Sequence, residues 1–337
     1  MKSLGLKEAL LGAVFLGLAG VATAGAAQAE AKTLRVTSQL PPTHPVTSNL
    51  MAFSDSVAQT CPAEELEFQI FHSAQLYKDS EVPQAVASGA IDMGTASLTR
   101  FAGTIPAVDV FYVPFTFRDP EHVKAVTEPG SAPRALIDDA VLKTGARVLW
   151  WQAVGNAILM GNEAWRLPSD AEGKKIRVFG KTLGDFVTAI GASPALISGS
   201  EQFLAYQRGT VDGGMSSPAG ILSRKLYEVL DYLMVTNHAD VEFVVIINEG
   251  VWQSLTEAQQ ACIMQAGAAV EADLRDTIIQ KDLDAIEFVR NETEMQVIEL
   301  TPEERAAWIE SAAPVRETYL ESAGPLGAKL LEEINKL

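Results

Sequence analysis

The chain is poor in the residues that carry out chemistry on their own. It has two cysteines, Cys61 and Cys262, far apart, with no CxxC pair and no neighbouring histidine to activate a thiolate. Its four histidines, His44, His72, His122 and His238, fall at no metal-binding spacing, and HExxH is absent. GxSxG, a Walker loop and GxGxxG are missing too, so no nucleophile elbow or nucleotide cradle is on offer and neither cofactor nor metal is expected. Positive charge is also short: 26 Lys and Arg stand against 43 Asp and Glu, a net charge of -17. Such a chain does not hold nucleic acid or an anionic membrane by bulk electrostatics. A small anion would have to be caught by a few placed cations, against the general field.

Long apolar runs are confined to the first residues. Met1 to Lys7 is a charged start, Ala9 to Ala22 an apolar stretch too short to span a bilayer comfortably, and Ala27-Gln28-Ala29 an A-x-A cleavage site. Together they read as a secretory signal peptide over 1–29, the alternative being an uncleaved anchor. No cysteine follows the run to take a lipid, so the mature chain is expected in the periplasm without direct membrane insertion. That compartment permits a Cys61–Cys262 disulfide, and two buried free thiols fit the spacing as well.

What is present is alternation. Thr33 to Thr37, Leu66 to Phe71 and Ala90 to Thr95 read as strands, with helices over Val46 to Gln59 and Glu81 to Ser88 between them. After a strand from Ala146 to Gln152 the pattern recurs: a strand around Arg177, helices at Leu183 to Ile190 and Glu201 to Arg208, and strands at Pro194 to Ile197 and from Val211. Strands alternating with helices indicate α/β units with largely parallel sheets, and the mature length suits two of them. Thr256 with Gln259, and Thr301 with Glu304, are capping boxes, and Glu257 to about Arg290 contains no proline, so one helix of about 50 Å is expected there, long enough to brace two domains. Asp92 and Asp212, each at the start of a strand, read as turn residues that bind backbone.

One residue breaks its pattern. In Lys175-Ile176-Arg177-Val178-Phe179, Ile176 and Val178 take one face of a strand and Arg177 the other. A guanidinium set into an apolar strand stays charged and needs either an internal acid or an anionic ligand.

Further motifs stand in order around it: Phe71-His72-Ser73-Ala74-Gln75-Leu76, Ala87 to Gly94, Val113-Pro114-Phe115-Thr116-Phe117, Gly173-Lys174-Lys175-Ile176-Arg177-Val178, Gly191-Ala192-Ser193-Pro194, Gln207 to Gly213 and Thr236-Asn237-His238. In that order and spacing the chain resembles the DctP-type solute-binding subunits of tripartite ATP-independent periplasmic (TRAP) transporters. The resemblance implies an α/β, two-domain periplasmic binding protein of the Venus flytrap kind, with hinge strands and a long helix bracing both domains. The expected division is domain I over 30–153 plus about 243–283, domain II over 154–242 plus about 284–315, and a helical tail over 316–337. It also implies that Arg177 pairs with a ligand carboxylate, and that the small and large TRAP membrane subunits are partners.

Two departures bear on the ligand. Where many relatives place a second arginine shortly after the strand ending at Trp151, this chain has Gly155-Asn156-Ala157, and Ser216-Ser217-Pro218 replaces an Asn-Pro. The expected pocket has Arg177 as its one strong cation, polar contacts from Ser38, Gln39, Ser97, Asn156, Ser216 and Ser217, and walls of Trp151, Phe179, Tyr206 and Phe243. That set favours a monocarboxylate or sulfonate taken up by a secondary, ion-driven transporter, with a dicarboxylate as the alternative if Lys181 supplies a second charge. A ligand sensor signalling to a membrane receptor is a further alternative. An enzyme is not expected, because no acid, base and nucleophile cluster beside Arg177.

Overall fold

The computed structural model describes residues 31–337, so the expected signal peptide lies outside the described residues. Strands β1 (Lys32–Thr37), β2 (Leu66–Phe71) and β3 (Met93–Ser97) alternate with helices α1 (Pro45–Thr60) and α2 (Val82–Ala87). Helices α3 (Pro120–Thr127) and α4 (Ala132–Leu142) lead into the long strand β4 (Ala146–Gly161). The second run is β5 (Lys175–Val178), α5 (Lys181–Ala189), β6 (Ser193–Leu196), α6 (Gln202–Gln207), β7 (Gly213–Ser216) and α7 (Pro218–Ser223). A second long strand, β8 (Tyr232–Asn248), then precedes α8 (Glu249–Gln253), α9 (Glu257–Glu292), β9 (Gln296–Glu299), α10 (Pro302–Ser311) and α11 (Ala313–Asn335).

These strands form one sheet in the order β2-β1-β3-β8-β4-β7-β5-β6, with β9 on β8. In one lobe β1 is parallel to β2 and β3, and β3 runs antiparallel to Phe243–Ile247 of β8. In the other, β5 is parallel to β6 and β7, while β7 runs antiparallel to Ile158–Gly161 of β4. The lobes are joined by β4 and β8, which pair antiparallel from Ala146 opposite Asn248 to Gly161 opposite Tyr232. This is the two-lobed α/β binding-protein fold with hinge strands. Asp92 and Asp212 act as read from the sequence, their carboxylates accepting from the backbone N–H of Arg35 at 2.8 Å and of Lys175 at 2.7 Å.

The pairing of β4 with β8 is irregular where the chain passes between lobes. The register shifts between Ala153 and Gly155 and again between Ala157 and Leu159. Gly155 has φ 88° and Asn237 φ 43°, both in the left-handed region. Each extra residue at such a bulge turns the following side chains to the other face. Neither β8 nor the far half of β4 was evident in the sequence, because Thr236 to Glu242 interleaves polar and apolar residues without the run expected of a central strand.

The long helix forms as its capping box predicts, Thr256 and Gln259 exchanging side-chain bonds with each other's backbone. Its buried side, from Cys262 and Ile263 through Val270, Leu274 and Ile278 to Val289, steps by three and four residues. The first half of α9 packs on α1 and β4, the second on α7 and β9, so the helix braces both lobes. Gly267 permits the closest approach: a Cβ there would stand 2.9 Å from the Trp150 ring. Cys61, at the end of α1, is joined to Cys262 by a disulfide with the Cα atoms 6.3 Å apart, which decides between the two cysteine readings.

Candidate functional site

Parallel strands leave their C-terminal ends open to whatever lies above the sheet, and here the ends from both lobes face each other. The end of β1 continues into Gln39 and Leu40, β3 ends at Ser97, Arg177 near the end of β5 is followed by Phe179 just beyond it, and β7 ends at Ser216 with Ser217 next. All of these line one cavity of about 40 Å³ together with Phe243 and Val241 of β8. Seven of the residues expected from the sequence therefore meet: Gln39, Ser97, Arg177, Phe179, Ser216, Ser217 and Phe243.

Arg177 is 3 % exposed. Its Nε donates to the Ile197 carbonyl at 2.9 Å and its Nη1 to the Met215 carbonyl at 2.7 Å, and its guanidinium carbon lies 5.2 Å from the Phe179 ring centre. Both acceptors are neutral. Three of its five N–H groups remain, and no carboxylate lies within ion-pair distance among the described residues. Burial pulls its pKa down to about 9, so it is still charged at neutral pH. Tyr206 buttresses it: the phenol is buried, accepts from Gln202 Nε2 at 2.7 Å, and would touch a Cβ on Gly214 of the strand next to Arg177.

A second arginine enters the same cavity, and sequence reasoning missed it. Arg224 is the residue that ends α7; its Nε turns back to the Gly220 carbonyl at 2.9 Å and its Nη2 donates to the Ser216 hydroxyl at 2.5 Å. Burial pulls its pKa down to about 10, and it too meets only neutral acceptors. Its positive charge in turn depresses Arg177. No signal marked it, since Ser223-Arg224-Lys225 reads as an exposed helix end. Ala157, where relatives were expected to differ by an arginine, sits in the apolar core and does not line the cavity.

The facing lobe supplies His44 and Asp79, also unforeseen. His44 caps α1, its Nδ1 accepting from the Val46 N–H at 3.2 Å, so the neutral ring carries its hydrogen on Nε2 as a donor. Burial, and then Arg224, hold its pKa well below the ordinary value. Asp79 is engaged by Arg100 Nε at 2.5 Å and by the Ser97 N–H at 3.0 Å. The Gln39 side chain has an oxygen without a partner. Lys78 and Glu201, one from each lobe, pair at 2.7 Å on the exposed rim.

Five expectations are corrected. Trp151 does not wall the cavity: its ring is buried against Phe111 and its Nε1 donates to Asp138 at 2.9 Å, on the α4 side of β4. Ser38 is spent on Thr47 at 2.8 Å. Tyr206 supports Arg177 from behind rather than lining the space. Asn156 faces a different cavity, because the bulge after Ala153 reverses the alternation that would have placed it with Val154. Lys181 is exposed and paired with Asp185 at 2.7 Å, so it adds no charge to the cavity.

The family model of bacterial extracellular solute-binding proteins, family 7, matches residues 36–322. A C4-dicarboxylate-binding periplasmic protein, DctP, of Rhodobacter capsulatus is 29% identical over 312 residues, 92% of each chain. A TRAP periplasmic solute-binding protein of Sulfurospirillum deleyianum, solved with succinate, superposes with a TM-score of 0.84 at 26% identity, covering 91% of this chain and 99% of its own. One from Desulfovibrio salexigens, solved with orotic acid, gives 0.84 at 26%, covering 90% and 97%. The chain belongs to family 7 of the bacterial extracellular solute-binding proteins and is a TRAP-type periplasmic solute-binding protein.

Proposed function

We propose that this TRAP-type solute-binding protein captures a short dicarboxylate between its lobes and delivers it to the small and large membrane subunits of its transporter. The observation that carries the reading is the pair Arg177 and Arg224, two guanidiniums in one cavity whose present acceptors are all neutral. Leaving such charges buried and unanswered is costly, and a bidentate carboxylate answers each in the geometry a guanidinium prefers. With the N–H of His44 added, the donors exceed what one carboxylate accepts.

The walls fit a hydrocarbon link between two acid groups: Leu40, Val154, Phe179, Val241 and Phe243 are apolar. A relative named as C4-dicarboxylate-binding and a similar structure holding succinate point the same way. A monocarboxylate or sulfonate suits a cavity with Arg177 as its sole cation, and Arg224 is a second. We infer that the lobes divide near 153 and 242, and that closure about β4 and β8 is the signal the membrane subunits read.

The cavity's hydroxyls also speak for a receptor rather than an enzyme. Ser97 bonds Tyr112, Ser216 takes Arg224, and Ser217 caps α7, while none is bonded to His44. The test is a thermal-shift screen of the mature protein against dicarboxylates, monocarboxylates, sulfonates and sugar acids. Succinate-class ligands are expected to raise Tm in proportion to the logarithm of their concentration, and Arg177→Ala to abolish the rise. Stabilisation by sulfonates or monocarboxylates alone would overturn the dicarboxylate reading.

A further inference from the structure

On the other side of β4 and β8 from the anion cavity lies a larger one, of about 290 Å³, which the function above does not use. Its floor is the hinge itself, Ala153, Gly155 and Asn156 of β4 with Asp240 of β8, and the middle of α9 forms its roof. Its charged groups are six: Glu121, Lys124, Asp240, Arg275, Asp276 and Asp282. Lys124 is paired with Asp276 at 2.8 Å. Arg275 is held by Glu242 through both guanidinium arms, the second at 3.0 Å. Both cations are therefore answered, and Asp240 and Asp282 face the space with no cation of their own among the described residues.

The two acids differ in how they are held. Asp282 accepts from the backbone N–H of Ala219 at 3.0 Å. Asp240 is 9 % exposed, and its carboxyl lies in hydrogen-bond contact with that of Glu242, a second acid rather than an N–H donor. Its side chain opens into the cavity beside Glu242, whose own carboxylate belongs to Arg275. Two acids so enclosed and in contact must share a proton or be answered by a cation, and a bound cation would complete them.

We propose that this hinge cavity is a second ligand site, built for a small organic cation, a primary ammonium or guanidinium on a hydrocarbon body, held by Asp240 and Asp282. The walls choose between kinds of cation. Val123, Pro218, Ile278, Ile279, Leu283 and Ile286 give the space an apolar lining suited to a carbon chain. A bare metal ion is not favoured, since among the described residues no three His, Cys, Asp or Glu side chains converge as ligands. Burial and the facing Glu242 raise Asp240, and burial raises Asp282 to about 7, so the incoming cation displaces protons and binds more tightly as pH rises.

The test uses the mature chain, with butylammonium and agmatine as probes, calorimetry as readout, and sodium, calcium and choline as comparators. Saturable binding of the two probes is expected, at least tenfold tighter at pH 8 than at pH 6. It should be lost by at least tenfold in Asp240→Asn and in the cavity-filling Ile279→Trp, and be untouched in Arg177→Ala. Asp282→Asn, which removes the other carboxylate, should weaken binding by at least tenfold as well. Absence of saturable binding, binding unmoved by Asp240→Asn, binding lost in Arg177→Ala, or equal binding of choline or of the metal ions would each overturn the proposal.

Discussion

Arg224 lies close enough to Arg177 for its charge to depress the Arg177 pKa, yet no carboxylate among the described residues stands within ion-pair distance of either. Two like charges buried together are tolerated in a folded chain only if something else answers them. The Ile197 and Met215 carbonyls fix Arg177 in place, and Gly220 and Ser216 fix Arg224, leaving free N–H groups turned to the cavity. The arrangement is preorganised for an anion, so its affinity is not spent on ordering side chains.

Arg177→Lys keeps the charge but loses the planar fork and the contact with Phe179. Anion affinity is expected to fall about 30-fold or more, the scale on which losing one member of a desolvated charge pair is felt. Calorimetric titration checks this. Unchanged affinity in the Lys variant would show that Arg177 acts only as a point charge.

Gly155→Ala strikes the hinge. A Cβ there would stand 1.9 Å from Asp282 Oδ2, and the φ of 88° is one that alanine adopts with strain. The variant is expected to lose about 2–4 kcal/mol in urea unfolding. Gly209→Ala is the control: its φ is also positive, at 62°, but nothing lies within 4 Å of the new Cβ, so only the backbone cost of about 1 kcal/mol applies. Equal losses in the two would remove Asp282 from the account.

The Cys61–Cys262 bond ties α1 to the start of α9, away from the residues that line the anion cavity. The paired Cys61→Ala and Cys262→Ala variant should lose about 2–5 kcal/mol of stability and keep its anion affinity. Chemical denaturation and calorimetry on the same sample separate the two quantities. A large loss of affinity would mean that the disulfide also sets the cleft.

The share of stability that rests on Asp282 should fall as pH rises from about 4 to 7. Burial lifts the Asp282 carboxyl from an ordinary 3.8 to about 7. In that window the folded chain keeps a proton that the unfolded chain has released, so raising the pH favours unfolding until the folded group ionises too. Asp240, raised by burial and by Glu242, acts in the same direction. Asp282→Asn, which still offers Ala219 an acceptor oxygen, is expected to flatten the slope and to be the more stable protein at pH 8. Urea midpoints at pH 5 and pH 8 for both proteins decide, and an identical slope in the variant would contradict this.

Legibility in the sequence followed local periodicity. The strands and helices of each lobe, the capped start of α9 and the isolated charge of Arg177 announce themselves within a few residues. The hinge does not: β8 mixes polar and apolar positions because its residues face, in turn, the anion cavity, the sheet and the space under α9, so no single period survives. The bulge after Ala153 then reverses faces, which is why Asn156 lies in the other cavity. Arg224 was invisible for another reason. Its role depends on where a six-residue helix ends in space, which the sequence around Ser223 does not encode.

The central claim is that Arg177 and Arg224 together read two carboxylates. It is tested most directly by calorimetric titration of succinate and butyrate, which share a four-carbon chain and differ by one acid group, into the wild-type protein and Arg224→Gln. The account predicts that wild type prefers succinate by about 100-fold or more and that Arg224→Gln erases at least a tenfold share of that preference. Butyrate binding wild type as tightly as succinate, or a preference unchanged in Arg224→Gln, would contradict it.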